Sequence, residues 1–349
     1  MSQTTKTVQA IFSLHLATSG LAFILLVASA LLLARQFAGG PGRPSFMRKA
    51  FGAIRKKHSS LGTHLFLMSA LSSLIIAYAA QSAIVVLQVM VDSPVDITSA
   101  YAYQAHLAQP VNSFGTSQGR MISILSFVYQ LASILTNFSI IGAIWLHANH
   151  MEENATGLKC PGFISWIWNL FWLAAVLGLG VASWALGMQR RGNHNEAYSY
   201  SSLVHTDFMV RTLYVAYIAV VITASTSATL EAVLCWIGTK KNGLTTESHA
   251  RSTLSRFVFL VVPVVWARNG FSIAQAVVIY KNAASWSANT NRAVAFLFII
   301  FGELAQLAIL FLVLYAAWSY GRKPVDTHVA TKEARDSDSY YAREEMRVV

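Results

Sequence analysis

Seven stretches of this chain are each apolar for long enough to cross a lipid bilayer, and that constrains the fold more than any other feature. They are Val8–Leu33, Leu61–Val91, Met121–Leu146, Phe163–Met188, Phe208–Ile237, Phe257–Tyr280 and Ala293–Trp318. A spanning helix needs about 20 mostly apolar residues, because each residue rises about 1.5 Å and the hydrocarbon layer is about 30 Å thick. Backbone polar groups meet no water there, so each stretch must satisfy its own hydrogen bonds, as a helix does. The expected fold is all-α: a seven-helix transmembrane bundle over residues 1–320, followed by a polar tail over 321–349. Composition agrees, with 55% of residues hydrophobic and 12% charged, against about 25% charged in soluble domains. The lipid bilayer is the expected partner. The first stretch is too long for a signal-peptide core and precedes no small-residue cleavage pattern, so it reads as a retained span. The second is long enough to tilt. Pro263 falls inside the sixth, where neighbouring helices can satisfy the carbonyl it frees.

The basic residues predict the orientation. Arg35, Arg43, Arg48, Lys49, Arg55, Lys56 and Lys57 crowd the first loop, and Lys159, Lys240, Lys241, Arg251 and Arg256 fall on the same side, as does the tail. The opposite side has Lys6, Arg120, Arg190, Arg191, Arg211, Lys281 and Arg292, and its loop around Asp92–Gly119 is nearly free of basic residues. Lysine and arginine accumulate on the cytosolic face, which predicts a non-cytosolic N-terminus and a cytosolic C-terminus. The net charge of +11 then reflects this asymmetry, and no nucleic-acid partner is expected. Lys332–Glu345 mixes both charge signs with serine and tyrosine, the composition of a disordered cytosolic tail. The sequon Asn154-Ala155-Thr156 falls on the cytosolic side in this topology and is expected to stay unmodified. Two cysteines, Cys160 and Cys235, are too few for a disulfide framework. Neither a metal-ligand spacing nor a cofactor motif is present, so no metal and no cofactor are expected.

Ionisable groups at membrane depth are costly and are functional candidates by default. Glu231 lies in the fifth stretch, Arg268 in the sixth and Glu303 in the seventh. Counted from the span ends, Arg268 and Glu303 are each roughly 15 Å deep, near the midplane, and Glu231 is roughly 9 Å deep. Matched depth predicts that Arg268 and Glu303 face each other. Gln275 stands seven residues beyond Arg268 and Gln306 three beyond Glu303, so each amide shares a helix face with its charged neighbour. Gln130, Asn137, Asn169 and Asn269 add polar groups at depth. A polar interior between spans five and seven follows. A packing role competes with a functional one throughout: Arg268 and Glu303 as a buried ion pair, the amides as interhelical hydrogen bonds, His15 and His147 as packed or interfacial side chains, and some of Trp166, Trp168, Trp172 and Trp184 as headgroup anchors.

Three functions fit these groups. The first is an intramembrane enzyme acting on a hydrophobic small molecule. Cyclising a polyprenyl chain needs a carboxylic acid to protonate an epoxide or alkene, and aromatic faces to stabilise the cation. Burial in hydrocarbon disfavours the charged carboxylate and so suits a proton donor. Glu303 and, after it, Glu231 are the candidate catalytic acids. Arg268, Gln306, Gln275, Trp266 and Phe271 are the candidate substrate-binding residues, with Phe298 and Phe301 nearby. The second is a seven-span receptor, whose architecture matches. Against it, no cysteine is placed to tie the third span to an outer loop, that span ends in His147-Ala148-Asn149-His150, the seventh has no Asn-Pro-x-x-Tyr pattern, and it has no lysine for a retinal. The third is a transporter or structural membrane protein, weakened by the lack of matched broken helices.

The segment Val261-Val262-Pro263-Val264-Val265-Trp266-Ala267-Arg268-Asn269-Gly270-Phe271-Ser272, followed by Phe301-Gly302-Glu303, resembles the proline-then-arginine sixth span and acidic seventh span of fungal seven-pass membrane proteins. In size and layout the chain is similar to those encoded with indole-diterpene pathways. That resemblance implies a membrane-bound terpene cyclase of secondary metabolism, in the endoplasmic reticulum or another endomembrane.

Overall fold

The computed structural model describes Gln3–Ala38, Ser59–Met90, Ser117–Thr156, Phe163–Gly192, Tyr200–Lys241, Ser248–Tyr280, Ala293 and residues 296–321. The first six ranges are helices α1 to α6. The seventh, α7, is helical from Phe296, takes π geometry over Ile299–Leu304 and continues as an α-helix over Ala305–Gly321. All the described elements are helical, and seven helices are long and apolar enough to cross a membrane. The chain is a multi-pass membrane protein. The tail beyond residue 321, the basic first loop and the loop after the second span lie outside the described residues.

The apolar parts of the helices match the seven stretches read from the sequence, but several helices overrun them. With 40 and 42 residues, α3 and α5 would extend about 60 Å, twice the hydrocarbon thickness. Asn154 to Thr156 form the last residues of α3. Pro263 sits within α6, which runs on through it.

Helix α3 is the hub, packing against α2, α4, α5, α6 and α7, while α1 lies outermost against α2 and α7. Lipid is as apolar as leucine, so association relies on close approach of backbones at small residues. The core shows this in Ala70, Ala77, Ala132, Ala143, Ala224, Ala228 and Ala232, all buried. At Gly142 a Cβ would stand 2.6 Å from the Phe66 ring, so α2 and α3 meet at a distance only glycine permits. Gly180 does the same for α4, where a Cβ would stand 2.6 Å from Ile134. Large apolar side chains on the outer faces, among them Phe23, Ile24, Trp166, Phe171, Leu234 and Phe259, are exposed, as a lipid-facing surface requires.

Candidate functional site

Helices α3 to α7 line a partly open cavity of about 120 Å³ in one half of the bundle. Its walls come from the first half to the middle of α3 and α5, the first turns of α7 and the second halves of α4 and α6. Because the helices alternate in direction, these parts lie in the half of the bundle where α1 begins and reach its middle. The apolar wall is Ile134, Ile218, Val221, Ile222, Trp184, Phe271 and Phe298. The polar wall combines the hydroxyls of Tyr129, Tyr214, Tyr217, Ser133, Ser183 and Ser272 with Gln130, Asn137, Gln275, Gln306 and Arg268. The Trp184 indole is fixed by donating to the Phe127 carbonyl at 3.0 Å. Phe271 stacks on Phe301 with ring centres 5.6 Å apart and lies 6.4 Å from Phe298.

Asn137 organises the polar centre. Its Oδ1 accepts from an Arg268 guanidinium nitrogen and, at 3.4 Å, from Gln306 Nε2, while its Nδ2 donates to the Tyr217 hydroxyl at 2.9 Å. One side chain of α3 thereby joins α5, α6 and α7. Arg268, Phe271 and Gln275 reach the cavity together because spacings of three and seven share a helix face. Phe298, Gly302 and Gln306 share the α7 wall at steps of four.

Of the candidate substrate-binding residues, Arg268, Gln275, Gln306 and Phe271 therefore line one cavity. Trp266 does not: it is 51% exposed on the outer face of α6 and donates to Thr229 Oγ1 at 3.2 Å. Two residues of helix turn about 200°, which carries position 266 to the far side from Arg268.

The expected pairing of Arg268 with Glu303 is not formed. Glu303 turns away from the cavity toward α1, where its Oε2 lies 2.9 Å from His15 Nδ1. Both side chains are buried, as is Tyr78 of α2, whose ring centre is 6.4 Å from that of His15. Glu303 follows Gly302 by one residue, about 100° of helix, which takes it off the wall that Gly302 and Gln306 share. In this stretch Ala305 N–H reaches back to Ile300 O, enclosing one residue more than an α-turn.

Glu231 lies toward the other end of the bundle and also outside the cavity lining. Ser165 Oγ donates to its Oε1 and Asn169 Nδ2 to its Oε2, so it ties α5 to α4. Nearby, Trp168 Nε1 donates to Ser227 Oγ at 3.0 Å. Between α5 and α6, Asn269 Nδ2 donates to Ser225 Oγ at 2.9 Å. His147 packs its ring 4.8 Å from that of Phe257. Among the described residues, no three His, Cys, Asp or Glu side chains are grouped to hold a metal ion.

The residues least legible beforehand are His15 and Asn137. His15 and Glu303 are separated by 288 positions, and no local pattern links them. Asn137 was visible as an amide at membrane depth, but its hub role depends on three other helices converging there. No protein-family model, curated protein or solved structure matches the chain.

Proposed function

We propose that this chain is a receptor-like seven-span membrane protein that takes a small organic molecule into the cavity at its N-terminal end, with that end outside the cytosol. The observation that carries the reading is the cavity's one-sidedness. Five helices open around Arg268, Asn137 and the tyrosines in one half. Toward the other end α3, α5, α6 and α7 are filled by Ile140, Ile144, Ala228, Val261, Leu310 and Val313, all at most 1% exposed. A transport path has to continue across the membrane, whereas a site in one half with a packed half beyond it suits a ligand whose binding is felt through helix packing. The cyclase reading needs a proton donor against the substrate. Its two candidate acids, Glu303 and Glu231, bond to His15 and to Ser165 and Asn169 instead. In its favour stands the aromatic wall of Phe271, Phe298 and Trp184.

The test is uptake of small amphipathic molecules by protein in lipid nanodiscs. At a hundredfold excess over Kd, a ligand stabilises by about 2.7 kcal/mol, which should raise the melting midpoint of a chain this long by about 4 °C. Phe271→Ala combined with Gln275→Ala should remove the rise. Formation of a cyclised product from an epoxidised prenyl substrate would make the protein an enzyme, and ligand uptake into sealed vesicles would make it a transporter.

The orientation rests on the basic first loop and has its own test. A glycosylation reporter fused after Val349 should remain unmodified in microsomes, and Asn154 should carry no glycan. A glycan at either position reverses the topology.

A further inference from the structure

Arg268 is 7% exposed, and its guanidinium lines the cavity. A guanidinium carries five N–H donors and one fixed positive charge. Among the described residues it has a single hydrogen-bond acceptor, the amide oxygen of Asn137, and no carboxylate partner. The acid at similar depth, Glu303, is bonded to His15. A charge held in a membrane interior without a counter-ion is destabilising, and such charges pair wherever a partner is available. Among the described residues, the cavity lining holds no other cation and no acid.

We infer that the cavity binds an amphipathic monocarboxylic acid, with its carboxylate on Arg268 and its apolar part against Phe271, Phe298 and Trp184. This rests on the ligand-binding reading above and gives the ligand its chemical class. Guanidinium and carboxylate match as planar forks, and such charge-assisted bonds are about twice as strong as neutral ones. One cation balances one negative charge. A phosphate monoester would bring close to two, with no second lysine or arginine on the wall among the described residues to meet it. Tyr214 and Tyr217, also on the wall, carry hydroxyls able to donate to a carboxylate oxygen. The aromatic residues suit an aryl or alkyl body, and burial there favours an acid with an apolar body over acetate or formate.

The experiment is saturation binding of tritiated 4-phenylbutyrate to the full-length protein in neutral-lipid nanodiscs, with competition by unlabelled 4-phenylbutyrate, 4-phenylbutanol and 2-phenylethyl phosphate. The acid should compete at least about tenfold better than the alcohol or the phosphate. Arg268→Gln should abolish the preference of acid over alcohol while still binding the alcohol. If Arg268→Gln does not accumulate, Arg268→Lys takes its place, and the preference should then fall severalfold because the fork is lost. Equal competition by acid and alcohol, or a preference left undiminished by substitution of Arg268, overturns the carboxylate assignment and leaves a cavity for neutral molecules. Stronger competition by the phosphate overturns the monoanion assignment. Binding of none of the probes removes the amphipathic-ligand reading along with this inference.

Discussion

Replacing His15 with leucine should destabilise the protein by about 3–5 kcal/mol, the loss expected when one member of a buried charged pair is removed. His15 has no exposed surface and Glu303 is 2% exposed, and Nδ1 and Oε2 lie 2.9 Å apart. Glu303 Oε1 has no hydrogen-bond partner among the described residues, so His15 is the group that accommodates the carboxyl. The full loss belongs to an imidazolium–carboxylate pair; a neutral pair would lose about 1–3 kcal/mol. An imidazolium with a carboxylate and a neutral imidazole with a carboxylic acid both need the partner in place. Leucine at position 15 leaves the carboxyl in an apolar cleft between α1, α2 and α7. The double variant His15→Leu with Glu303→Met removes both polar groups and should recover most of the loss, since apolar replacement of a whole buried pair is often close to neutral. Glu303→Gln alone keeps an acceptor for His15 and should cost about 1 kcal/mol. Thermal melting in nanodiscs should separate the His15→Leu single from the double variant by about 3–7 °C. A single variant as stable as the double would mean that the bond carries no structural weight.

The same pair shows where sequence reasoning reaches and where it stops. The seven spans were legible because each is an average over some 20 residues, and a lipid solvent admits one backbone solution. The common wall of Arg268, Phe271 and Gln275 was legible because helical spacing alone determines it. Depth was legible too, and Arg268 and Glu303 are both buried. Depth is one coordinate, however, and pairing needs the direction around the helix axis as well. For Glu303 that direction is about 100° of helix from Gly302, and which neighbour lies there cannot be read from hydropathy. It depends on α1 lying beside α7, a long-range outcome of packing. Trp266 is a different case. Its two-residue offset from Arg268 already places it on the opposite face, so helical phase by itself separates it from the site.

A large, selective effect on ligand binding should come from a change of one atom group in the cavity wall, Asn137→Asp. Asn137 Oδ1 accepts from Arg268 and Gln306, and its Nδ2 donates to the Tyr217 hydroxyl at 2.9 Å. Aspartate has almost the same shape and keeps the acceptor that Arg268 uses. The Tyr217 hydroxyl, acceptor to asparagine, can turn and donate to the new oxygen. What changes is charge: Arg268 acquires a permanent carboxylate in a place where its own burial is already established. Hydrogen bonds to charged groups contribute about 1.5–3 kcal/mol, so the unliganded protein should melt at a higher temperature than the parent. An acid arriving in the cavity would then meet a guanidinium whose charge is already balanced and a carboxylate that repels it. Competition by 4-phenylbutyrate should weaken by at least about tenfold, while 4-phenylbutanol should compete nearly as well as against the parent. Asn137→Leu separates this from simple loss of the hub, because it strands both Arg268 and the Tyr217 hydroxyl and should lower the melting midpoint. The two outcomes have opposite signs in stability, so they cannot be mistaken for each other. If Asn137→Asp binds the acid as tightly as the parent does, the carboxylate is not held by Arg268 and its counter-charge lies elsewhere in the bundle.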